Sequence, residues 1–243
     1  MFVKETLRIW NASSTLSSVQ EASFFLDPII RSKNHCAAFV ERIPGVRTST
    51  NKEETLTQLT NHHSAVAQSL GFNQIFYAEQ IHGDKITVIT KESPTISAGV
   101  DALITSENTL LGIHVADCGA LYLLDQKTGA IGLLHSGKKG TELNITRSAI
   151  QAMKQNFRTN PSDLVAVLAP CIRPPHYEVD FAKTIRDQAI NSGIIPENFH
   201  DCGLCTASDL KRFYSYRREK GNTGRHLALI GHYSSWAHSQ STL

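Results

Sequence analysis

The chain has 243 residues, of which 41% are hydrophobic and 19% charged, and its formal net charge is +2. This composition is typical of a globular protein with a sizeable core, and the small charge gives no basis for bulk electrostatic binding of nucleic acid. No run approaches the roughly eighteen apolar residues of a membrane span. The N-terminal MFVKETLRIWNASS lacks an apolar core of signal-peptide length. We therefore expect a cytoplasmic protein with no membrane and no nucleic-acid partner.

The apolar pattern predicts helices and strands that alternate along the chain. Helices are predicted over residues 52–70, 141–157 and near 181–192. Strands are predicted from short apolar runs bounded by Gly and Asp, at 75–78, 86–90, 102–105, 111–116, 121–125, 130–134, 164–169 and 226–231. This order indicates an α/β protein with a mixed sheet, and we expect a single domain over residues 1–243.

Two of the predicted strands form a hairpin that brings two reactive side chains together. The turn over residues 126–129 ends in Gly, and if Asp125 pairs with Ala130 then Ala120 stands opposite His135. Cys118 shares the face of Ala120 because side chains alternate with a period of two. Cys118 and His135 then become diagonal neighbours, roughly 7–8 Å apart. An odd-length turn would place them on opposite faces of the sheet.

The five cysteines are scattered, which argues against a disulfide framework and favours core packing, metal ligation or nucleophilic chemistry. Cys118 is a small buried hydrophobe, a thiol nucleophile with His135 as its base, or a metal ligand. His82 lies beside a glycine in a loop and adds a third ligand. Two His and one Cys would hold tetrahedral zinc with one open position. Spacings of 36 and 17 residues match no local zinc signature, so the alternatives stay open at this point.

The segment after His135 is rich in glycine and lysine. Ser-Gly-Lys-Lys-Gly precedes a helix predicted to begin near Thr141, and this is either an anion site with Lys138 and Lys139 or an ordinary β–α turn. A cluster of aromatic and basic residues lies nearer the C-terminus, and it is either an ion-pair network or a wall that stacks on a base and pairs with phosphate: Tyr214, Tyr216, Arg217, Arg218 and Arg225.

Two further groups of metal-ligand residue types are assigned to structure. The Cys202-Gly-Leu-Cys205 pair has no second pair with which to close a zinc site, so Cys202 is expected to be structural and Cys205 to pack or line a pocket. His62 and His63 are expected on the solvated face of a helix.

Several short motifs occur together in an order that resembles the YfiH family, also called the laccase-domain or peptidoglycan-editing-factor family. They are QIHG at 80–83, VDALIT at 100–105, ADC at 116–118, HSGKKG at 135–140, APCI at 169–172, YEV at 177–179, CT at 205–206 and FYSYRRE…TGR at 213–225. The chain departs from the family pattern chiefly at Lys138, where the family has a Trp.

The resemblance implies an α/β/β/α layered fold, similar to that of toxin cysteine hydrolases. It also implies a catalytic zinc site at His82, Cys118 and His135. Members of the family are described as zinc-dependent purine nucleoside phosphorylases that convert adenosine, inosine or guanosine and phosphate to a base and ribose 1-phosphate. Adenosine deamination and cleavage of methylthioadenosine are also described.

With this resemblance we expect a nucleoside and phosphate as the small-molecule partners, and a monomer or weak homodimer. The expected substrate-binding residues are Arg42, Gln80, Asp101, Lys138, Lys139 and Arg217. Three other functions are weighed against phosphorolysis. They are a metal-free Cys-His hydrolase that edits peptidoglycan precursors, a Cu²⁺-dependent polyphenol oxidase, and an inactive binding or scaffold protein.

Overall fold

A computed structural model describes residues 24–32 and 34–233. The segment MFVKETLRIWNASS, on which the absence of a signal peptide rests, lies outside these residues. Among the described helices, none combines the length and apolar character needed to cross a membrane. The cytoplasmic location, the single domain over residues 1–243 and the monomer or weak homodimer stay predictions.

The described residues contain five α-helices and eleven strands. The helices are α1 (Asp27–Ile30), α2 (Lys52–Ser69), α3 (Lys138–Glu142), α4 (Ile145–Phe157) and α5 (Phe181–Asn191). The strands are β1 (His35–Val40), β2 (Phe76–Ala78), β3 (Ile86–Val88), β4 (Ile96–Ser97), β5 (Ala102–Thr105), β6 (Leu110–Val115), β7 (Gly119–Asp125), β8 (Ile131–Ser136), β9 (Leu164–Leu168), β10 (Phe199–Asp201) and β11 (His226–His232).

The strands build two mixed sheets. The first has the order β1-β11-β6-β2-β4, with β1, β11 and β6 antiparallel and β6, β2 and β4 parallel. The second has the order β10-β9-β7-β8-β5-β3, in which the β9-β7-β8-β5 pairs are antiparallel and both edge strands pair in parallel.

The two sheets pack face to face, and helices cover their outer faces. Along β7, Tyr122 and Leu124 point into the core between the sheets, whereas Leu121 and Leu123 face α4 and α5. This alternation follows from the period of two in a strand that is buried on both faces. Helix α2 covers the outer face of the first sheet with Val66 and its neighbours. The α/β/β/α layering implied by the resemblance is therefore confirmed.

Most of the predicted elements are present, with one clear error among the helices. The helix predicted over residues 141–157 is two helices, because Asn144 adopts a left-handed conformation with φ 62° between α3 and α4. Asn adopts this conformation more readily than most residues. The helix therefore ends without the Gly or Pro that would have indicated the break in the sequence. Strands β1, β4 and β10 were not predicted, although HCAAFV in β1 is a six-residue, largely apolar run.

Three connections carry the chain from the first sheet to the second, namely β2 to β3, β4 to β5 and β6 to β7. Two of them contain non-glycine residues with positive φ: Gln80 (66°) and His82 (62°) in the first, and Asp117 (81°) in the third. Such conformations are uncommon and persist only when surrounding contacts hold them. The seam between the sheets therefore has the backbone strain that is often found at functional sites.

Candidate metal centre

Three side chains with metal-ligand chemistry converge at this seam. One ligand atom each from His82, Cys118 and His135 lies within 4.8 Å of the other two. His82 lies in the β2–β3 connection, Cys118 in the β6–β7 connection, and His135 on β8. The hairpin register is the one predicted, with Ala120 opposite His135. The resulting group can hold a metal ion.

The three ligands differ in exposure, which gives the centre an open and a closed side. His135 is buried, Cys118 is half-buried and His82 is exposed. The two imidazole rings stand edge to face, with centroids 4.8 Å apart and an interplanar angle of 76°. A metal ion held by these atoms would therefore be reached from the side of His82. Such an open position is typical of catalytic zinc sites and is absent from structural ones.

A buried carboxylate fixes two of the three ligands from behind. Asp101 accepts a hydrogen bond from Nδ1 of His135 at 2.7 Å. It also accepts backbone N–H bonds from Ile81 (3.1 Å), His82 (2.9 Å) and Gly83 (2.7 Å). Asp101 engages Nδ1–H of His135, so Nε2 is the atom with which the neutral ring would bind a metal, as in the usual carboxylate–histidine–metal arrangement.

Electrostatics favour the ligand form of the cysteine. Burial raises the pKa of the Cys118 thiol, but the charge and hydrogen bond of His135 outweigh it and lower the pKa to about 6. Burial likewise raises the pKa of the Asp101 carboxyl, and its hydrogen bonds from His135 and Gly83 bring it below its usual value. Burial lowers the pKa of His135, but the charges of Cys118 and Asp101 and their hydrogen bonds raise it to about 9. Without a metal the pair of Cys118 and His135 is therefore a thiolate and an imidazolium at neutral pH, and a bound metal ion would displace the second ring proton of His135.

The absence of a side chain at Gly137 provides the space for the sulfur atom of Cys118. At Gly137 a Cβ atom would overlap Sγ of Cys118, and it would come within 3.4 Å of the Cys118 Cβ. The space around the sulfur is therefore shaped by the absence of a side chain. We call this space beside Gly137 the cradle of the Cys118 sulfur. A thiolate held there, together with two imidazoles, is a set of donor atoms that fits a zinc ion.

A second buried carboxylate, which the sequence analysis missed, organises the wall beside the centre. Asp117 accepts hydrogen bonds from the hydroxyls of Thr206 (2.6 Å) and Ser215 (3.1 Å) and from the backbone N–H of Arg217 (2.7 Å). Its own backbone carbonyl accepts the N–H of Ile172 at 2.8 Å. Asp117 thus ties three distant segments to the residue that precedes Cys118.

The centre opens into a cavity of about 640 Å³. One wall is apolar and aromatic, with Ile172, Tyr177, Phe181 and Tyr216, and Arg217 lies 5.4 Å above the Tyr177 ring. The remaining lining residues are polar or charged, apart from Ala116: Lys52, Gln80, His82, His114, Asp117, Cys118, His135, Lys138, Lys220 and Arg225. The cavity is large enough for a small-molecule ligand.

Three of the six expected substrate-binding residues line this cavity, namely Gln80, Lys138 and Arg217. The amide of Gln80 is itself engaged, because it donates to the backbone carbonyl of His114 at 2.6 Å and accepts the His114 N–H at 2.9 Å. Arg217 pairs with Glu178 at 3.3 Å.

The other three lie away from the cavity surface, so direct substrate contact does not fit their positions. Asp101 is fully buried and its oxygens are occupied. Arg42 pairs with Glu219 at 2.7 Å, donates to the Phe213 carbonyl at 3.0 Å and lies over the Tyr214 ring. Lys139 is exposed outside the cavity.

The helix expected to begin near Thr141 begins at Lys138 and has only five residues. Its short length weakens the predicted anion site at this helix end.

The C-terminal aromatic and basic cluster is split between core and cavity. Tyr214 is buried against His226, and Arg218 lies outside the cavity, whereas Tyr216 and Arg225 join Arg217 in lining it. Tyr216 and Arg225 are thus placed where a ligand could reach them, while Arg217 also forms an exposed ion pair with Glu178, so both alternatives for this cluster stay open.

The remaining cysteine and histidine predictions are confirmed except at one position. Cys202 and Cys205 pack partly buried against the core. The prediction of a solvated face was wrong for His63, which is only 3% exposed and lies 5.4 Å from the ring of His114. Helix α2 turns His63 toward the first sheet. Apolar and polar residues are poorly separated along this helix, so the sequence did not indicate that His63 lies on its buried face.

Comparison with known proteins supports one family. Residues 45–181 and 179–233 match the family described as multi-copper polyphenol oxidoreductase laccase. Purine nucleoside phosphorylase Cj1217c of Campylobacter jejuni is 30% identical over 212 residues, covering 76% of this chain and 91% of the relative. Purine nucleoside phosphorylase YlmD of Bacillus subtilis is 28% identical over 193 residues, covering 64% of this chain and 69% of the relative. The crystal structure of YlmD from Geobacillus stearothermophilus superposes with a TM-score of 0.77 at 25% identity, over 85% of this chain and 94% of that one.

Proposed function

Because the chain belongs to the family described as multi-copper polyphenol oxidoreductase laccase, we propose that it is a zinc-dependent purine nucleoside phosphorylase. The observation that carries the proposal is the cluster of His82, Cys118 and His135 at the floor of a cavity with one aromatic wall. The names of the relatives support the reaction, and the donor set supports the metal.

The residues around the metal site would set its geometry before any substrate arrives. His82 and His135 would bind as neutral imidazoles and Cys118 as a thiolate. Asp101 keeps Nε2 of His135 free for the metal and fixes the loop that carries His82. When bound, zinc supplies a Lewis acid that orients and polarises an oxygen of a substrate.

The aromatic wall would take the purine base. Tyr177, Phe181 and Tyr216 offer ring surfaces for stacking, and Arg217 adds a cation near Tyr177. The ribose would then lie toward the metal ligands. In the reaction, an oxygen of HPO₄²⁻ forms a bond to C1′ of the ribose as the bond from C1′ to the base nitrogen breaks. The electron pair leaves with the base, which receives the proton of the phosphate, so that charge and atoms balance.

The test is to incubate the protein with adenosine, inosine or guanosine and inorganic phosphate and to measure free base and ribose 1-phosphate. Zinc content is measured on the same samples by metal analysis. Cys118→Ala should lose both zinc and turnover, whereas Cys202→Ala, which removes a thiol outside the cavity, should keep both. Wild-type protein that binds zinc yet releases no base from any of the three nucleosides would refute the proposal.

A second function has one observation in its favour. Asp101, His135 and Cys118 form a carboxylate–imidazole–thiol series, which is also the arrangement of a cysteine hydrolase. In that case Cys118 would attack an acyl carbon and His135 would move the proton. Hydrolysis of an acylated cell-wall precursor that persists after complete removal of metal by a chelator would favour this reading. Loss of all activity with the metal would exclude it.

The same purified protein can be used to test for a copper-dependent activity. Two imidazoles and one thiolate also bind copper, and copper stands above zinc in affinity for such donors. Protein reconstituted with Cu²⁺ is therefore assayed for phenol oxidation beside the zinc form. Adenosine deamination and methylthioadenosine cleavage are measured on the zinc form as further activities of the same cavity.

A further inference from the structure

Positively charged side chains outnumber carboxylates in the lining of the cavity. It contains five cationic side chains, Lys52, Lys138, Arg217, Lys220 and Arg225, against the single carboxylate of Asp117. That carboxylate is already occupied by Thr206, Ser215 and the backbone of Arg217. Of the five cations, Arg217 alone forms an ion pair with another described residue.

Two of these cations lie at the same end of the cavity. Partial burial, and then the positive charge of Arg225, lower the pKa of the Lys52 ammonium, whereas the negative charges of Asp101, Glu79 and Glu53 raise it. Burial is the first cause that lowers the pKa of His114, followed by the charges of His63, Lys52 and Arg225. Lys52, His114 and Arg225 all line the cavity and influence one another's charge, so the two cations repel each other there.

The surrounding structure holds these groups in place. Nη1 of Arg225 donates to the carbonyls of Thr223 (3.2 Å) and Gly224 (2.8 Å), and its other two nitrogens make no hydrogen bond with a described residue. Lys52 is the first residue of the 18-residue helix α2, whose start is fixed by the Asn51 side chain accepting the N–H groups of Glu53 and Glu54. Arg225 is also near the centre, because Cys118 and Asp117 are among the charges that raise its pKa.

We infer that Lys52 and Arg225 form the binding site for a phosphate dianion beside His114. The inference rests on the proposed function, in which inorganic phosphate is the second substrate. A dianion would relieve the repulsion between the two cations and would take the free guanidinium hydrogens of Arg225. It assigns the anion to Arg225, which the sequence offered as one alternative for phosphate pairing, and to Lys52, rather than to Lys138 and Lys139.

The experiment compares phosphate binding in Lys52→Gln, Arg225→Lys and the control Lys127→Gln, whose lysine is exposed in the hairpin turn. We expect KM for phosphate to rise about tenfold or more in the first two variants, with KM for the nucleoside changed by less than about twofold. The control should match the wild type. Lys52 is exposed at the start of a helix, so we expect Lys52→Gln to fold. The test can therefore be read from Lys52→Gln even if Arg225→Lys does not fold.

Titration calorimetry with inorganic phosphate, on the zinc-loaded protein, makes the test independent of turnover. Weaker phosphate binding in Lys52→Gln supports the inference even when no nucleoside is cleaved, in which case only the proposed function fails. Unchanged phosphate affinity in Lys52→Gln and Arg225→Lys overturns it, as does loss of binding in Lys138→Gln alone. A loss of affinity confined to nucleoside 5′-monophosphate, with free phosphate unaffected, would assign the anion to the substrate and overturn the inference as well.

Discussion

Replacing Asp101 by Asn tests whether the metal centre depends on the carboxylate behind it. Asp101 is fully buried and accepts four hydrogen bonds, one from Nδ1 of His135 and three from the backbone of residues 81–83. Each oxygen accepts two of them. An Asn side chain keeps one oxygen and presents NH₂ in place of the other, so two of the four donors lose their acceptor.

The expected effects follow from this count. Two unpaired buried donors cost about 2 to 6 kcal/mol of unfolding free energy, at roughly 1 to 3 kcal/mol each. The imidazole of His135 also loses its orientation, and the loop with His82 is held less firmly. Removal of such a partner typically weakens metal binding by about 10- to 100-fold. We therefore expect Asp101→Asn to lower both the stability and the zinc affinity.

Competition with a chromophoric chelator gives the zinc affinity, and urea unfolding of the metal-free protein gives the stability. The matched control is Asp125→Asn, which removes another fully buried carboxylate from the far end of β7, where it caps the turn through Lys127 and Thr128. This control should lose some stability and keep its zinc affinity. If Asp101→Asn bound zinc within about twofold of the wild type, the positioning role of Asp101 would be wrong.

Three further predictions test the cradle, the aromatic wall and the buried His63. Gly137→Ala should reduce zinc content by more than about tenfold in metal analysis, because its Cβ overlaps Sγ of Cys118, while φ −90° suits Ala and spares the fold. Tyr177→Ala should raise KM for the nucleoside by about tenfold and Tyr177→Phe by less than about twofold; equal effects would exclude stacking. Burial and then the charge of His62 lower the pKa of His63 to about 4, so its contribution to stability is complete above pH 6.5 and is lost as the pH falls toward 4. The loss amounts to about 3 kcal/mol, and urea unfolding of His63→Gln at pH 7 and pH 4 should show a correspondingly flatter pH dependence.

The hairpin shows how much of the site local sequence could predict. Turn length and alternation placed Ala120 opposite His135, and the structure has that register. Residues this close in sequence have few alternative pairings, and a one-residue slip would move an apolar strand face into the wrong layer. The convergence of Cys118 and His135 was therefore predictable before any family resemblance was considered.

Lys52 could not be predicted as part of the cavity in the same way, nor could its proximity to Arg225. Lys52 and Arg225 are far apart in the sequence, and they share the cavity because α2 packs on the first sheet and the chain before β11 returns to the seam. Lys52 neither interrupts an apolar pattern nor stands beside a glycine, whereas Arg225 follows Gly224 and belongs to the aromatic and basic cluster that the sequence predicts as one alternative for phosphate pairing. Asp101 was singled out by the sequence but expected to bind substrate. An acidic residue before a strand gives the same sequence pattern whether its side chain contacts a substrate or is buried behind a metal ligand, as Asp101 is behind His135.

The seam between the sheets accounts for both the position of the centre and its backbone conformation. A chain that passes from one packed sheet to the other must turn sharply, and Gln80, His82 and Asp117 adopt positive φ on two of these passages. Each of these residues is held by a polar contact. The Gln80 amide holds the backbone of His114, Asp101 holds the N–H of His82, and Thr206 and Ser215 hold the Asp117 carboxylate. The same contacts that hold these uncommon conformations thus fix the ligands, so replacing the buried polar partners should damage the metal centre more than replacing apolar residues in the nearby core.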